Sequence, residues 1–595
     1  MRCDDEEESI RPSYHNVSKT VKNSQVVSGQ ELPFLEAVKE DMIVFPMRRD
    51  ITRLAEEEFD LLVVGGGIHG AATAWAAARK GLATALIDRG DFGHATSANS
   101  LKIIHGGLRY LQRADVRRMR SSILARRELQ GLAPHLVRPL ACVTPTSGFG
   151  TRSRSLMAAA LFINDLVGRD RNRGLAAEDS LPSCRTISRK EMLRIAPGLP
   201  ADRVSGGALW HDCLAENTER LTLAFVMAAA ERGACVANYV EAGGLTRSNG
   251  AVTGASATDV FSGNLLSIDA TVTIDAAGPW TGEFAGAQQE VMLRSRPRRW
   301  ARATNIFVGR PLTDRHALGL RDERSGQVFF LVPWRGGTMV GTWYREHRGK
   351  EMPPPGREEI DRMAADINRI HPAARVRPED VRFSHAGLVP LVPEAPGRGL
   401  HLSLETEARV TDYAEAGIQG LIGIAGVKYT TACRVGEAAA RLAARKLRRP
   451  DPAEAPEPLA GSFDGVLPAG AGQVLDGETA ERLKKAYGAA AQEIFSSVAA
   501  DPSLGRAVDS AGGTLAVEVV HAVRSEMALR LSDVIFRRTG LGSRGHPGGK
   551  ALRACASLMA EELDWGGGRK EREVAEVEER FTPYHTGAGE EPEAL

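Results

Sequence analysis

The chain has 595 residues, a formal net charge of +1 at pH 7, and 43% hydrophobic and 25% charged residues. This composition is typical of a globular protein with about two or three domains, and the near-zero charge gives no overall attraction to nucleic acid. Apolar runs stay below the ~20 residues of a membrane-spanning helix. The seven cysteines show no C-x-x-C pair and no zinc-like spacing, which favours a reducing compartment, the cytoplasm, and no structural metal.

The first 46 residues carry an acidic patch and no clear periodicity, which predicts a poorly ordered extension. From Met47, the run MRRDITRLAEEEFD predicts a short amphipathic helix leading into a strand, so we interpret Met47 as a natural start of the chain. Strand-like and helical runs then alternate to about residue 445, as in an α/β domain. A segment rich in Pro, Gly and Ala at 446–472 predicts a linker, and the 3.6-residue periodicity within 473–595 predicts a separate helical domain.

The strongest motif is DLLVVGGGIHGAATAWAAARKGLATALIDRGD, which begins at Asp60. It predicts a buried strand over Asp60–Val64, a G-x-G-x-x-G turn, a helix of small residues, and a second strand over Thr84–Ile87. In such a unit the first glycine permits the tight turn, the second lets a pyrophosphate approach the backbone, and the third lets the helix pack closely. The helix N-terminus adds N–H groups and a partial positive charge for the phosphates. The three glycines are Gly65, Gly67 and Gly70.

Asp88 ends the second predicted strand, 23 residues after Gly65. A carboxylate at this place accepts hydrogen bonds from an adenosine ribose without a 2′-phosphate, which indicates NAD or FAD and not NADP. Two later segments, 270–284 and 420–441, predict further strands that return to the same sheet, each followed by a glycine turn. Because FAD is a long ligand that discontinuous segments contact, this arrangement favours FAD.

The run from Phe59 to Gln112, which includes TSANSLKIIHGGLRYLQ, resembles the FAD-dependent glycerol-3-phosphate dehydrogenases within the D-amino-acid-oxidase-like flavoproteins. The likeness continues in LPADRVSGGALWHDCLAENTERLTLAF, IDAAGPWTGEF, FFLVPWRGGTMVGT and AGVKYTTACRVGEAA, and in the helical tail VRSEMALRLSDVIFRRTGLG. It covers residues from about 47 to 580. The resemblance implies an α/β fold, with a Rossmann-like FAD-binding domain interleaved with a mixed-sheet substrate domain, followed by a C-terminal helical domain.

The resemblance implies that the segment after the second strand wraps the flavin, with its hydroxyl groups and Lys102 at the pyrophosphate and ring region. The turn Ala425–Lys428 and a helix starting near Thr430 would direct N–H groups at the flavin N1/C2 edge and stabilise the charge of the reduced flavin. His69 would cap the helix start near the pyrophosphate, without a catalytic part. The expected cofactor-binding residues are Gly65, Gly67, Ile68, His69, Gly70, Asp88, Arg89, Thr96, Ser97, Ser100, Lys102, Ala277, Gly278, Gly426, Lys428, Tyr429 and Thr430.

The chemistry that the resemblance implies is the oxidation of an alcohol to a ketone, with the carbon-bound hydrogen leaving as hydride to flavin N5. An imidazole suits the removal of the hydroxyl proton, so His105 is the candidate base. Arg109 would pair with an anionic group of the substrate, bidentately if that group is a phosphate. Tyr110 would face the same pocket, and Lys428 would contact the substrate or the flavin.

The chain departs from the family pattern at positions where cationic groups would hold a phosphate. Gln327, Val389 and Thr411 stand where family members carry arginines. Four arginines lie nearby in the sequence, but a shift of one residue along a strand turns a side chain to the other face. These four are Arg321, Arg324, Arg345 and Arg409.

Two further turns depart from the pattern. The family's GTTD reads GTWY here, with Trp343 and Tyr344. The family's TTYR reads TTAC, which places Cys433 at the arginine position and Arg434 one residue later. Flavin chemistry is therefore better supported than the identity of the substrate.

The expected function is FAD-dependent oxidation of sn-glycerol 3-phosphate to dihydroxyacetone phosphate, with electrons passed on to quinone. The departures leave open a dehydrogenase or oxidase of another hydroxy compound, such as a polyol, sugar or hydroxy acid of a biosynthetic pathway. A flavin-stabilised scaffold without turnover is disfavoured, because His105, Arg109 and Tyr110 are retained. The resemblance also implies peripheral contact with the cytoplasmic face of the inner membrane. A homodimer is left open, and nothing resembles a nucleic-acid-binding module.

Other features have plainer interpretations. We interpret His211 and His385 as ordinary hydrogen-bonded histidines, and Trp280 as core packing rather than a flavin stack. Two basic runs, 113–127 and 294–310, are interpreted as solvated surface. The alternative for the second run, which mixes arginines with aromatic residues, is an interfacial segment at a membrane.

Overall fold

We analysed a computed structural model of the chain, which describes residues 47–148, 150–286, 299–351, 354–392, 404–405, 407–450, 457–459, 467–509 and 513–584. The predicted N-terminal extension, 1–46, lies outside the described residues. So do parts of the predicted linker, at 451–456 and 460–466.

Two β-sheets organise the chain, with strands numbered in chain order. Sheet A contains β1 (Glu58–Val64), β2 (Thr84–Ile87), β7 (Cys235–Ala237), β8 (Val240–Ser248), β9 (Ala251–Asp259), β10 (Leu265–Asp275), β16 (Arg409–Asp412) and β17 (Leu421–Ala425). Sheet B contains β3 (Ile103–Ile104), β4 (Val137–Thr146), β5 (Arg185–Ser188), β6 (Gly206–Ala215), β11 (Trp300–Val308), β12 (His316–Arg321), β13 (Val328–Trp334), β14 (Gly337–His347) and β15 (Val381–Pro390).

Helices cover the sheets and form most of the C-terminal region. They are α1 (Ile51–Glu56), α2 (Ile68–Arg79), α3 (Val116–Leu132), α4 (Arg154–Val167), α5 (Arg189–Ile195), α6 (Thr218–Glu231), α7 (Arg357–Ile370), α8 (Ala432–Lys446), α9 (Ala469–Gly472), α10 (Gly477–Tyr487), α11 (Ala491–Ala500), α12 (Ala516–Arg524), α13 (Leu531–Asp533), α14 (Gly549–Leu563) and α15 (Gly567–Glu579). Short polar residues begin several of them: Asp50, Asp115, Ser153 and Asn217 each accept a hydrogen bond from a backbone N–H of the first turn.

Sheet A has the order β16-β17-β10-β1-β2-β7, and β9 pairs with β10 and with β8. Strands β10 and β2 flank β1 in parallel, and β17 pairs with β10 in parallel. The two predicted returns of the chain to the sheet of the dinucleotide motif are therefore confirmed. Because parallel strands share their direction, the carboxyl ends of β1, β2, β10 and β17 lie at one edge, where ligands bind in open α/β sheets.

Helix α2 is almost completely buried, and most of its own side chains are small. Its alanines, together with Thr73 and Trp75, are almost completely inaccessible. Gly436 of α8 lies so close to α2 that a Cβ atom there would come within 2.6 Å of the backbone of Ala72. The glycine and alanine content of both helices thus permits the close packing that holds the turn before α2 against the sheet edge.

The C-terminal helices share a hydrophobic core with sheet B. Phe383 of β15 stacks on Phe536 with ring centroids 5.8 Å apart and lies 5.6 Å from Phe581. Trp334 of β13 belongs to the same buried cluster. The helices that the sequence predicts for the C-terminal region therefore pack directly on sheet B.

The two basic runs differ from the solvated surface that the sequence predicts. In the second run, Trp300–Val308 is a buried strand between β14 and β15, so neither the solvated nor the interfacial interpretation applies to it; residues 294–298 lie outside the described residues. In the first run, α3 buries Arg126 against Asp212 and pairs Arg120 and Arg127 with Asp170. Among the described residues, helices long and apolar enough to cross a membrane are absent.

Candidate active site

A cavity of about 1900 Å³ lies between the carboxyl edge of sheet A and one face of sheet B. Its walls come from Val64 and Gly423 on sheet A, and from Gly319 and Phe330 on sheet B. Ligand pockets commonly measure about 300–1,000 Å³. The cavity can therefore hold a dinucleotide together with a small second molecule.

The turn after β1 brings the chain back on itself at one end of the cavity. Gly65 has φ +107°, and a Cβ atom on it would lie 2.7 Å from the carbonyl oxygen of Ala276. A Cβ atom on Gly70 would lie 1.8 Å from the carbonyl oxygen of Gly65. Only glycine fits either position, which supports the roles predicted for the first and third glycines. Gly67 and Ile68 line the cavity beside them.

Asp88 lies at the same end, directly after β2. Its carboxylate accepts hydrogen bonds from the backbone N–H groups of Gly66, at 2.6 Å, and Gly90, at 2.8 Å. Burial raises the pKa of Asp88, although His94 and these N–H groups oppose the shift. Next to it, the guanidinium of Arg89 lies 4.3 Å from the ring centroid of Trp280. Trp280 lines the cavity, which differs from the core packing predicted for it, because a short 3₁₀ helix after β10, Gly278–Trp280, places it at the sheet edge.

The segment after Asp88 lines the cavity with hydroxyl-bearing side chains. The Oγ of Ser97 accepts a hydrogen bond from the N–H of Ile68 at 2.9 Å, so Ser97 binds the N-terminus of α2. Thr96 Oγ1 bonds both backbone groups of Leu388 on β15. Ser100 accepts from the N–H of Lys102 at 3.2 Å. Thr96, Ser97 and Ser100 all line the cavity, which is consistent with the cofactor contacts predicted for them.

Lys102 points away from the cavity. It is 1% exposed, and its ammonium donates to the carbonyl of Ala98, to Thr218 Oγ1, and to Glu219 at 2.8 Å. Burial lowers the pKa of Lys102, while Glu219 opposes the shift. This geometry differs from the pyrophosphate contact that we expected, because a partner carboxylate on α6 neutralises the ammonium inside the protein.

The turns that follow β10 and β17 also reach the cavity. Ala277 and Gly278 follow β10, and Gly426 follows β17. Tyr429 donates a hydrogen bond to the carbonyl of Thr218 at 2.8 Å. Thr430 lies in a 3₁₀ turn that leads into α8, so the N-terminus of a 15-residue helix borders the cavity.

His69 is the second residue of α2, and its imidazole packs against Gly426. Burial lowers the pKa of His69 to about 4, so the ring is neutral near pH 7. Its buried Nε2 atom has no hydrogen-bond partner among the described residues, although the ring lines the cavity. A buried polar atom without a partner carries a free-energy cost that a polar ligand can remove. Together with the glycine turn and Asp88, this atom fits a bound dinucleotide.

His105 lies on the opposite part of the wall, directly after β3. Its backbone N–H donates to Thr430 Oγ1 at 3.3 Å, which joins the segment after β3 to the 3₁₀ turn before α8. Burial lowers the pKa of His105 to about 4, with Asp212 opposing the shift and Arg109 adding to it. The imidazole is therefore unprotonated near pH 7, which is the state a base requires.

Arg109 and Lys428 also line the cavity, but Tyr110 does not. The Tyr110 ring is buried beneath two cations, with Lys428 Nζ 4.5 Å and the Arg109 guanidinium carbon 5.6 Å from its centroid. Burial lowers the pKa of Lys428 and Tyr110 opposes the shift. Tyr110 therefore supports the cations that face the cavity, whereas the sequence suggested direct contact with substrate.

Neutral side chains line the cavity at the three positions where the sequence comparison led us to expect arginines. Gln327, Val389 and Thr411 all line the cavity, and the amide of Gln327 donates to the carbonyl of Thr342. Tyr344 lines it too; burial raises its pKa, and the nearby Arg109 opposes that shift. Trp343 bonds Asp366 instead. Cys433 is buried, and Arg434 pairs with Glu128 at 3.5 Å outside the cavity wall.

One of the four candidate substitutes reaches the cavity. Arg321 lies two residues from Gly319 on β12, so both residues lie on the same face of the sheet, and both line the cavity. Arg324 and Arg345 are exposed outside the wall, and Arg409 pairs with Glu405.

Three residues beneath His105 were missed by sequence reasoning. Asp212 of β6 accepts hydrogen bonds from Trp210 Nε1 at 2.9 Å and from Arg126 at 2.6 Å, and it lines the cavity.

In LWHDC the alternation of a strand predicts that only one of His211 and Asp212 faces the site, and the structure places His211 outside the wall. His385 is also outside; its Nε2 bonds the carbonyl of Ser543, so its predicted ordinary role is confirmed.

Helix α4 presents an exposed apolar face beside the mouth of the cavity. Leu156, Phe162, Ile163 and Leu166 are 49%, 69%, 39% and 59% exposed. Leu156 and Ile163 also line the cavity. The sequence signal was the run SLMAAALFINDLV, whose apolar residues recur at helical spacing. We name these four residues the α4 face.

Known proteins resemble this chain along most of its length. Residues 60–442 match the family described as FAD dependent oxidoreductase, and residues 437–570 match the family described as C-terminal domain of alpha-glycerophosphate oxidase. Glycerol-3-phosphate dehydrogenase of Synechocystis is 30% identical over 538 residues, which is 87% of this chain and 95% of that protein. Glycerol-3-phosphate dehydrogenase 2 of Mycobacterium tuberculosis is 31% identical over 539 residues, 88% of each.

A solved structure shows the same fold. The glycerol-3-phosphate dehydrogenase of Bacillus halodurans, crystallised with FAD, superposes with a TM-score of 0.69 at 24% identity, over 91% of this chain and 98% of that one. The alternation of sheets and the C-terminal helices is therefore common to both proteins.

Proposed function

The chain belongs to the FAD-dependent glycerol-3-phosphate dehydrogenase family, and on that premise we propose that it binds FAD and oxidises sn-glycerol 3-phosphate to dihydroxyacetone phosphate. The observation that carries this proposal is one cavity with two chemically different ends. A glycine turn and a buried carboxylate lie at one end, and a neutral histidine beside two cations lies at the other. The first end suits an adenosine diphosphate, and the second suits a small anionic alcohol.

Bound FAD would supply the acceptor for the hydride of the carbinol carbon. His105 takes the hydroxyl proton onto its unprotonated imidazole, so the electron pair of the O–H bond can turn the carbon–oxygen single bond into the double bond of the ketone as the C–H bond breaks. The substrate thus loses one proton and one hydride, and the hydride carries both electrons of the oxidation. The 3₁₀ turn that contains Thr430 leads into α8, and the N-terminal end of this helix supplies partial positive charge to the part of the cavity next to His105.

Arg109 and Lys428 hold the phosphate of the substrate. Both are held over the Tyr110 ring, which places two cations on one side of the cavity. Burial lowers the pKa of Lys428, and a dianionic phosphate opposes that shift by favouring the ammonium form. Arg321 provides a further guanidinium at the mouth, in place of the arginines that Gln327, Val389 and Thr411 replace.

Quinone is the proposed electron acceptor, with the protein bound peripherally at the cytoplasmic face of a membrane. The α4 face supports this proposal, because it exposes large apolar side chains next to the cavity. Exposed Arg154 begins α4, and exposed Arg169 follows its end. Apolar residues flanked by arginines suit the headgroup region of an anionic bilayer, from which an apolar quinone can reach the cavity.

The decisive experiment is anaerobic mixing of the FAD-loaded protein with a panel of phosphorylated and unphosphorylated polyols. We expect sn-glycerol 3-phosphate to abolish the visible flavin absorbance, and glycerol to do so far more slowly. In steady state, a quinone analogue should be reduced while oxygen gives little peroxide. An FAD-loaded protein that stays oxidised at saturating sn-glycerol 3-phosphate overturns the substrate assignment, and rapid peroxide formation without quinone reduction overturns the acceptor.

A second candidate function rests on the three neutral replacements. Gln327, Val389 and Thr411 remove charge from the wall where a phosphate would bind. An uncharged or monoanionic hydroxy compound, such as a polyol, sugar or hydroxy acid, needs fewer cations. Faster flavin reduction by an unphosphorylated member of the same panel would favour this function.

A further inference from the structure

The loop after β2 has one side in the cavity and the other side in the protein interior. Gly93 and His94 line the cavity, and the N–H of Gly93 donates to the carbonyl of Gly66 at 3.0 Å. Asp91, two residues earlier, has no exposed surface. The conformation of this loop therefore fixes both Asp88 and the approach to the glycine turn.

Asp91 is bound by the far end of the chain. It accepts hydrogen bonds from Arg538 Nη1 at 2.7 Å, Arg538 Nη2 at 2.8 Å and Arg537 Nε at 2.6 Å. Asn238 Nδ2 donates at 3.0 Å and also donates to the carbonyl of Met527. Burial alone would raise the pKa of Asp91, but the two guanidinium groups hold it well below its usual range.

The two arginines are themselves fixed by a charge-balanced cluster. Arg538 also donates to the backbone carbonyl of Glu526 at 2.9 Å, and Arg537 pairs with Asp533 at 2.5 Å. Arg220 of α6 pairs with Glu526 at 2.6 Å. The Asp91 cluster, as we name it, consists of the three carboxylates of Asp91, Glu526 and Asp533 and the three guanidinium groups of Arg220, Arg537 and Arg538.

A second connection joins the same loop to the same helices. The N–H of Tyr239 donates to the carbonyl of Gly90 at 3.0 Å, and the Tyr239 hydroxyl donates to Asp533 at 2.6 Å. Gly90 also bonds the Asp88 carboxylate. The loop is thus held at two neighbouring residues, Gly90 and Asp91, by contacts that end at Asp533 and Arg538.

The described residues that follow Thr430 contribute nothing to the cavity wall. Any effect of the C-terminal helices on the cofactor must therefore pass through elements that they contact, and Asp91 is three residues from Asp88. Removing one partner of a buried ion pair leaves an uncompensated charge. Without the arginines, keeping the loop in this conformation would therefore carry a large free-energy cost.

From this geometry we infer that the C-terminal helices are a positioning element for the cofactor: through Arg537 and Arg538 they hold Asp91, and with it the adenosine end of the FAD site. The inference rests on the proposed binding of FAD. Asp91, Arg537 and Arg538 are positioning residues, and FAD binding and the order of the 526–538 segment are reciprocally coupled.

The first test measures the FAD dissociation constant of the apoprotein by flavin fluorescence. Asp91→Asn keeps the shape of the side chain and removes its charge, and we expect it to weaken FAD binding about tenfold or more. The matched control is Arg482→Met, which removes a bidentate pair with Glu518 inside the C-terminal helices without touching the loop. The control should lose stability and keep the wild-type dissociation constant.

The second test needs no substitution. Amide hydrogen exchange is compared between the wild-type apoprotein and the FAD-loaded protein, and FAD should slow exchange in 531–538. Unchanged exchange there, or an Asp91→Asn protein that binds FAD as wild type does, overturns the inference while flavin reduction by substrate continues. Failure of the wild-type protein to bind FAD at all would instead overturn the proposed function.

Discussion

The carboxylate of Asp212 accepts a hydrogen bond from the backbone N–H of Gly106 at 2.6 Å, one residue beyond His105. Arg126 and Trp210 hold the same carboxylate from below. Asp212 therefore fixes the backbone that carries the candidate base, and its charge opposes the effect of burial on the His105 pKa. Asp212, which lies in the cavity wall, thus supports the candidate base through Gly106.

Asp212→Asn should lower the free energy of unfolding by about 3 kcal/mol, because Arg126 is left buried without a charged partner. It should also slow flavin reduction, since the backbone at Gly106 loses an anionic acceptor. Denaturant unfolding and stopped-flow absorbance check the two effects. The matched control is Asp170→Asn, whose partners Arg120 and Arg127 lie on the same helix at the surface; its cost should stay below about 1 kcal/mol. Equal costs would contradict this account.

His105→Ala should slow flavin reduction by about 100-fold or more, which is the usual contribution of a general base. FAD content should be unchanged, because the cofactor end of the cavity lies elsewhere. The measurement is the single-turnover rate at saturating substrate. His211→Gln is the control, since this histidine lies on the neighbouring β6 outside the wall. A reduction rate near wild type in His105→Ala would remove His105 from the mechanism.

The pH dependence follows from the His105 pKa of about 4. Because burial favours the neutral ring, the base form persists as pH falls through 6.5, the ordinary histidine value. The rate of flavin reduction relative to substrate concentration should therefore show no histidine inflection near pH 6.5 and should fall only as pH approaches about 4. Rapid pH jumps limit unfolding during the measurement. The substrate phosphate, with a second pKa of about 6, titrates in the same way in every variant. An inflection near pH 6.5 that is present in the wild type and absent from His105→Ala would show that the ring is not desolvated.

The same shift affects stability with a definite sign. Below pH 6.5 the unfolded chain protonates His105, whereas the folded chain does so only near pH 4. The unfolded state therefore binds more protons in this window, and this group lowers stability as pH falls from 6.5 to 4. His105→Gln should reduce the acid sensitivity of unfolding across that window.

Arg321→Ala should raise the KM for sn-glycerol 3-phosphate about tenfold, because a hydrogen bond to a charged group contributes about 1.5–3 kcal/mol. The effect on kcat should be small, since Arg321 lies at the mouth of the cavity. Arg324→Ala is the control, three residues away and outside the wall. If Arg321 does not bind the phosphate, both variants will have the same KM.

Phe162→Ser and Leu166→Ser should each weaken binding to vesicles that contain anionic lipid, by about tenfold or more, because burial of a large apolar side chain contributes about 1.5–3 kcal/mol. Vesicle flotation measures the bound fraction. Leu265→Ser is the matched control, since Leu265 is 83% exposed at the start of β10 and lies outside the α4 face. Unchanged binding of the α4 variants would assign the face to another partner. Reduction of a membrane quinone should decline together with flotation.

Local sequence predicted the dinucleotide unit because its physics is local. The glycine turn, the helix of small residues and the acid at the end of β2 lie within 30 residues, and each has a steric or electrostatic reason. The returns at β10 and β17 were also predictable, since each repeats the pattern of an apolar strand before a glycine turn. Their meeting at one edge follows from parallel pairing.

Long-range pairing limited the rest. Lys102 was assigned to a phosphate because its partner, Glu219, is 117 residues away and carries no sequence mark of the contact. Composition alone suggested a surface for 294–310, but flanking strands enclose Trp300–Val308 on both sides. The apolar periodicity of the C-terminal helices predicted their faces, and it did not show that those faces pack on sheet B.

The distance along the chain between Asp91 and Arg538 is 447 residues. At about 5–20 residues per second, a ribosome releases Asp91 about 20–90 s before Arg538. Until then the Asp91 carboxylate lacks the arginines that neutralise it in the folded protein, and the loop beside the glycine turn lacks their support. By this inference, a chain cut short before residue 537 carries every described residue of the cavity wall and still binds FAD weakly, so cofactor binding depends on the synthesis of a segment that lies outside that wall.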